Sequence, residues 1–277
     1  MTALAVERLS DSVGAKLLDV DADRLRNDRD LPDAVSEALE EYSVLLLPEL
    51  NASDEDTTAF CAHLGSLIDF SHVPPAAAKV MEISFDPSNP NAEYFASNSF
   101  WHIDGLLDET AAKTSILTAR VTSAEGGETE FASTYAAYDA LSDEEKERFA
   151  GLRVIHTFEA IQRLTYPDPT PEQLTEWASR AVKNHPLVWE HDSGRRSLVL
   201  GATVSHIEGM DFDEGRALLA DLQARATAPD QVCRHTWTEG DTVLWDNTGL
   251  VHRVCDFDHT KPRVMHRLTI AGQEKIK

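Results

Sequence analysis

The chain is short of cysteine, of positive charge and of long apolar runs. Its three cysteines, Cys61, Cys233 and Cys255, are an odd number with no C-x-x-C pair. That argues against a disulfide framework and for a reducing compartment. All three read as small core residues, Cys255 included although it lies close to His252. Lys and Arg number 25 against 48 Asp and Glu, a formal net charge of −23. With no basic cluster to offset this, nucleic acid is not an expected partner. The same charge repels anions in general, so any anion site has to be built from particular arginines. No apolar run reaches the roughly 18 residues of a membrane span. Met1 to Val20 carries Glu7, Asp11 and Asp19 and matches neither a secretory signal nor an Arg-rich transit peptide. The expectation is a cytoplasmic protein with no membrane partner. Internal repeats, low-complexity tracts and linkers are also missing.

What is present fits one domain over residues 1–277, with 42% hydrophobic residues to supply a core. Residues 12–20 read as a short strand and 32–42 as a helix with Val35, Ala38, Leu39 and Tyr42 on one face. Val44 to Leu47 is an apolar run stopped by Pro48, and Ser53 caps a helix that ends at Gly65. Residues 80–85 alternate like a strand, and 86–98 read as a connecting loop or a lid. Further strands are expected over 113–122 and, beyond Gly126-Gly127, over 128–131, then a helical region over 134–153 with a capping box at Ser142. Helical or loop insertions are expected near 71–98 and 157–186; the second is too long for a plain loop and is expected to be helical with a face on the active site. Short extended runs at 187–190, 197–200, 232–238, 242–244 and 268–271, with a hairpin turn at Asp192 and a helix over 213–225, argue for a sandwich or jelly roll. The fold expected is mainly β with flanking helices.

The chemistry concentrates in three places. Asn98 to Asp104 contains His102-x-Asp104, whose side chains project together on extended backbone. A neutral imidazole beside a carboxylate is two thirds of the facial triad that binds non-haem Fe(II). The tripeptide alone is weak evidence, and His206-x-Glu208 is a competing pair. His252 follows the apolar pair Leu250-Val251. Eleven residues later comes Arg263, with Met265 and Arg267 on the same strand face. An arginine on an otherwise apolar strand needs an anion to justify its burial.

Ordered together, these residues resemble the Fe(II)/2-oxoglutarate-dependent dioxygenases of the taurine dioxygenase/TfdA type. The resemblance runs from about Gly14 to Gly272. It is carried by Trp101-His-Ile-Asp, Gly126-Gly-Glu-Thr, Ala136-Ala-Tyr-Asp-Ala-Leu, Gly240-Asp-Thr-Val-Leu-Trp-Asp-Asn and Arg263-Val-Met-His-Arg-Leu-Thr-Ile-Ala-Gly. It implies a double-stranded β-helix, a cupin-like jelly roll. It implies Fe(II) on His102, Asp104 and His252, and 2-oxoglutarate on Arg263 with help from Thr129. Arg267 and Asn98 would face a primary substrate that O2 oxidises, with 2-oxoglutarate leaving as succinate and CO2. Asp104 favours hydroxylation or another oxidation over halogenation, because the halogenating relatives lack that carboxylate. Relatives form homodimers or homotetramers. One departure stands out. Where the taurine enzymes hold sulfonate with a histidine, this chain has Phe70, with His72 two residues on. Phe70, Phe85, Phe100 and Leu106 suggest a more apolar pocket, suited to a small carboxylate-bearing molecule. His156, His185, His206, His235 and His266 match no ligand position.

Two other readings use the same residues. A Zn hydrolase also takes two histidines and a carboxylate, but has no need of the dicarboxylate anchor at Arg263 and Thr129. A non-catalytic jelly-roll binding protein requires no convergence of the triad.

Overall fold

A computed structural model describes residues 4–70, 79–86, 88–89 and 91–277. The core is a pair of facing sheets. The larger runs, in spatial order, Val6–Arg8, Ala15–Leu17, Val44–Leu47, Thr242–Asp246, Thr114–Val121, Val264–Ile270 and Met81–Ser84. The smaller runs Val232–His235, Thr129–Ser133, Leu250–Val254. Pairing in both is antiparallel except between Ala15–Leu17 and Val44–Leu47. This is the jelly-roll architecture expected from the sequence.

Side-chain alternation sorts the large sheet into two cores. Met265, Leu117, Ala119, Val243 and Trp245 face inward and pack with Phe131 and Leu250 of the small sheet. Leu268, Ile270, Ile116, Leu244, Leu45 and Leu47 face outward, beneath the helices Leu31–Tyr42 and Asp54–Leu64. Burying each such aliphatic side chain contributes about 1.5–3 kcal/mol. A third core lies beyond the small sheet. There the helix Phe212–Ala226 packs Leu219 and Leu222 among Ile207, Val154 and Trp189. Among the described residues no helix is long and apolar enough to cross a membrane.

Several elements depart from expectation, each for a local reason. The region 134–153 is two helices, Thr134–Asp139 and Asp143–Phe149, the second started as expected by the capping box of Ser142 and Glu145; it departs from expectation at its end, where Arg153 opens the strand Arg153–Thr157. Within 86–98 the chain forms the helix Ala92–Ala96 and a 3-10 turn at Ser97–Ser99 rather than a loop alone. The expected strand at 12–20 shrinks to Ala15–Leu17. The segment 157–186 does hold two helices, Phe158–Thr165 and Pro171–Ala178, followed by the strand Val182–Pro186. The part of the first insertion over 71–78, with His72, lies outside the described residues. Cys61 and Cys233 are buried, and burial pushes their thiols up to about 12 and about 11.

His156 is fully buried, bonds Thr203 Oγ1 through Nδ1 at 2.9 Å and leaves Nε2 without a partner. Burial, reinforced by the neighbouring His185, lowers it from 6.5 to about 3. The unfolded chain therefore takes up a proton that the folded chain refuses. Its contribution to stability is complete above pH 6.5 and is lost as pH falls towards 3, at up to about 1.4 kcal/mol per pH unit. Urea unfolding at a series of pH values should show this slope in the native chain and a shallower one in His156→Phe. Identical slopes would contradict the assignment.

Candidate metal centre

The site lies between the two sheets, where the chain before the large sheet's Thr114–Val121 strand touches the small sheet. Residues 98–104 form no regular strand. Instead His102 makes a single antiparallel bridge to His252: each backbone N–H donates to the other's carbonyl at 3.0 Å. This pairing sets the two imidazoles side by side, with ring centroids 4.2 Å apart. Ile103 points the other way, into the third core, so His102 and Asp104 share the inner face as their two-residue spacing requires. The backing is tight. A Cβ on Gly201, whose φ is +117°, would lie 3.1 Å from both His102 Cα and the Trp101 carbonyl.

His102, Asp104 and His252 each offer a ligand atom within 4.8 Å of the others. His102 Nε2 is 3.9 Å from Asp104 Oδ1, and His252 Nε2 is 3.8 Å from Asp104 Oδ2. The Phe100 carbonyl accepts from His102 Nδ1 at 2.8 Å. A carbonyl can only accept, so the proton sits on Nδ1 and the Nε2 lone pair faces the site. Burial lowers the pKa of both histidines, most strongly for His252, where the neighbouring His102 adds to it. Burial alone would raise Asp104. The charge of Arg267 is the largest influence against burial, the Ser115 hydroxyl adds to it, and the carboxyl is held well below its usual range. Two neutral imidazoles and an ionised carboxylate are the protonation states a divalent cation needs. The geometry and the donor set fit Fe(II).

Three arginines line the same pocket, and their pairing differs. Arg253 lies over the Trp101 ring and donates to the buried Glu130 at 2.7 Å. Arg267 donates to Asp104 Oδ1 at 3.3 Å, with its guanidinium over the Phe70 ring. Arg263 is only 4% exposed, and among the described residues it has no carboxylate in ion-pair range. It donates to the Gly127 carbonyl at 3.0 Å and packs over Phe257. Burial alone brings its guanidinium down to about 10, so it is still charged at neutral pH. Thr129 and Asn98 line this pocket too; Thr129 Oγ1 accepts from Trp237 Nε1 at 2.9 Å.

All seven residues singled out in the sequence thus reach one site. The apolar residues singled out mostly do not line it. Of Phe70, Phe85, Phe100 and Leu106, only Phe85 lines the pocket, joined by Ile83 and Leu117. Leu106 is buried in the third core, and Phe100 borders a separate cavity. That cavity, about 750 Å³ between Phe158–Thr165 and Phe212–Ala226, contains none of the triad. The helical insertion over 157–186 faces this cavity, so among the described residues it supplies nothing to the lining around the triad. Sequence reasoning also missed Ser115 and Glu130, whose partners are distant in the chain. The histidines set aside are structural: His266 bonds Asp54 and His235 pairs with Asp241.

In this jelly roll two neutral histidines and one carboxylate make a candidate cation site, beside a buried guanidinium that has no carboxylate partner among the described residues. The family model described as "Taurine catabolism dioxygenase TauD, TfdA family" matches residues 5–269, and the chain belongs to that family. It is 40% identical over 178 residues, 64% of this chain, to an alpha-ketoglutarate-dependent 2,4-dichlorophenoxyacetate dioxygenase of Burkholderia sp. strain RASC; alpha-ketoglutarate is 2-oxoglutarate. That match spans 59% of the relative's length. A broader match, 30% identical over 99% of this chain and 91% of the relative, is to an alpha-ketoglutarate-dependent sulfate ester dioxygenase of Pseudomonas putida. Among solved structures, AAD-2 in complex with Mn(II) and N-oxalylglycine superposes with a TM-score of 0.84 at 31% identity, covering 100% of both chains.

Gly201→Ala should push the His102 backbone off its bridge. It should cost about 1–3 kcal/mol and weaken Mn(II) binding measured by titration. Unchanged metal affinity in that variant would show that the close backing does not matter to the site.

Proposed function

We propose that this protein is an Fe(II)- and 2-oxoglutarate-dependent dioxygenase that hydroxylates a C–H bond of a small, acidic and partly apolar molecule. The observation that carries the reading is Arg263: a buried cation with no carboxylate partner among the described residues, lining the same pocket as the triad. A buried charge of this kind calls for an anionic partner, and a dicarboxylate that also reaches the metal supplies one. Arg suits it better than Lys, because the planar fork can take both carboxylate oxygens. A Zn hydrolase leaves that guanidinium unexplained, and a metal-free binding module leaves the triad unexplained.

Fe(II) bound with 2-oxoglutarate and O2 supplies the oxidising chemistry, releasing succinate and CO2. The protein's own residues bind, orient and keep water out. His102, Asp104 and His252 would hold the ion, the donor set of a facial triad. Arg263 and Thr129 hold the distal carboxylate, and Asn98 and Arg267 face the primary substrate. The cavity at the triad is about 40 Å³, room for a few waters, so a five-carbon diacid enters only if side chains make way. Arg267, bridged to Asp104, is placed to do so: an anionic substrate would draw its guanidinium off the carboxylate. Ile83, Phe85 and Leu117 would contact the apolar part. The relatives named for aryloxy acids and sulfate esters support a substrate with an anionic head and an apolar body, and we favour a carboxylate head. We also place the protein in the cytoplasm as a homodimer or homotetramer, a reading supported by its charge and sparse cysteines and by family habit.

Succinate release measured over small carboxylates, sulfonates, sulfate esters and aryloxy acids tests the activity, with product mass read for added oxygen. Release with none of these, and none uncoupled from a substrate, would refute it. Anaerobic Fe(II) with 2-oxoglutarate should give a weak visible charge-transfer band, absent in His252→Ala. Arg263→Ala should weaken 2-oxoglutarate binding by about 2–5 kcal/mol. Arg267→Ala should spare uncoupled succinate release and weaken only the primary substrate; equal loss of both would break that division of roles.

A further inference from the structure

Asp104 is gripped from a side that the ligand motifs do not mark. Ser115, fully buried in the Thr114–Val121 strand, donates from Oγ to Asp104 Oδ2 at 2.6 Å. Ser115 Oγ in turn accepts from Asn247 Nδ2 at 3.0 Å, and Asn247 Oδ1 accepts from Trp245 Nε1 at 3.0 Å. The direction of this relay is set at its far end. An indole N–H can only donate, so it selects the amide oxygen of Asn247 and turns the amide nitrogen towards Ser115. That nitrogen also can only donate. Ser115 Oγ must therefore accept there and spend its one proton on the carboxylate. The backbone locks the parts in place: Asn247 N–H donates to the Lys113 carbonyl at 2.9 Å, and Trp245 pairs with Ser115 across the sheet. Ser115 and Asn247 are 0% exposed and Trp245 2%, so water does not compete for these bonds.

We propose that Ser115, oriented by Asn247 and Trp245, is a positioning residue that holds Asp104 to one-oxygen coordination of the metal. The inference rests on the metal-site reading above. Carboxylates bind cations through one oxygen or two. The facial triad works only while three positions stay free, and a second carboxylate oxygen would fill one of them. The short, charge-assisted bond from Ser115 engages Oδ2 and leaves Oδ1 to the ion. Arg267, on Oδ1, is the partner that an anionic substrate can draw away, whereas Ser115 is tied into the sheet and stays.

The test uses the full-length chain and Mn(II) alone as the first probe, then 2-oxoglutarate on the Mn(II)-loaded protein. Ser115→Ala should lower Mn(II) affinity about 10- to 100-fold. It should also weaken 2-oxoglutarate binding to the loaded protein and alter the Mn(II) electron paramagnetic resonance signal, with near-ultraviolet circular dichroism unchanged. Trp245→Phe keeps an aromatic ring and removes only the donor that orients Asn247, so it should shift the same readouts less. It decides the question if Ser115→Ala does not fold. Thr118→Ala, on the same strand as Ser115, is the control: it removes a buried hydroxyl pair with Thr242 of the neighbouring strand and should leave Mn(II) affinity unchanged. Native affinity in both Ser115→Ala and Trp245→Phe would overturn the proposal. So would an equal loss in Thr118→Ala, which would mark the effect as general loosening of the sheet. A wild-type chain that binds no Mn(II) would instead overturn the metal-site reading itself.

Discussion

Two backbone hydrogen bonds, exchanged between His102 and His252 at 3.0 Å, are the joint on which the site depends. One residue belongs to an irregular segment, the other to the inner strand Leu250–Val254. The bridge fixes the register between them, and with it the separation of the two rings. Asp104 then arrives two residues later on the same face, while Ile103 between them is anchored in a different core. A ligand on irregular backbone would otherwise sample many positions. Here Gly201 presses against one side of the bridge and the sheet lies on the other.

The electrostatics run against the chain as a whole. A protein of net charge −23 concentrates three arginines in one pocket. Two are neutralised internally, by Glu130 and by Asp104. The third, Arg263, is desolvated with no carboxylate beside it among the described residues, which is a cost to the fold of the kind that functional sites carry. The same pocket keeps its histidines neutral by burial and its aspartate ionised by surrounding positive charge. Together these states make a site ready for a cation beside a site ready for an anion.

Much of this was legible in the sequence because it depends on short spacings. His102 and Asp104 two apart, and Met265 and Arg267 two apart, needed only the alternation of extended chain. The ends of Asp54–Leu64 followed from Ser53 and Gly65, and the Val44–Leu47 strand from its four apolar residues. That His252 and Arg263 join them came from family resemblance, since spacing alone places neither. The pocket's apolar lining was not legible: Phe100 and Leu106 lie near the ligands in sequence, yet their side chains leave in other directions. Ser115 was invisible for a related reason. It is an ordinary polar residue in an apolar strand, and only the three-dimensional proximity of Asn247 and Asp104 makes its one proton matter.

The account turns on a metal and a dicarboxylate sharing one pocket. Calorimetric titration of 2-oxoglutarate into the protein, anaerobically, with and without saturating Fe(II), tests that most directly. Binding that is at least tenfold tighter with the metal, and is lost in His252→Ala, is the result predicted. Binding of equal strength with and without Fe(II), or none in either case, would contradict it.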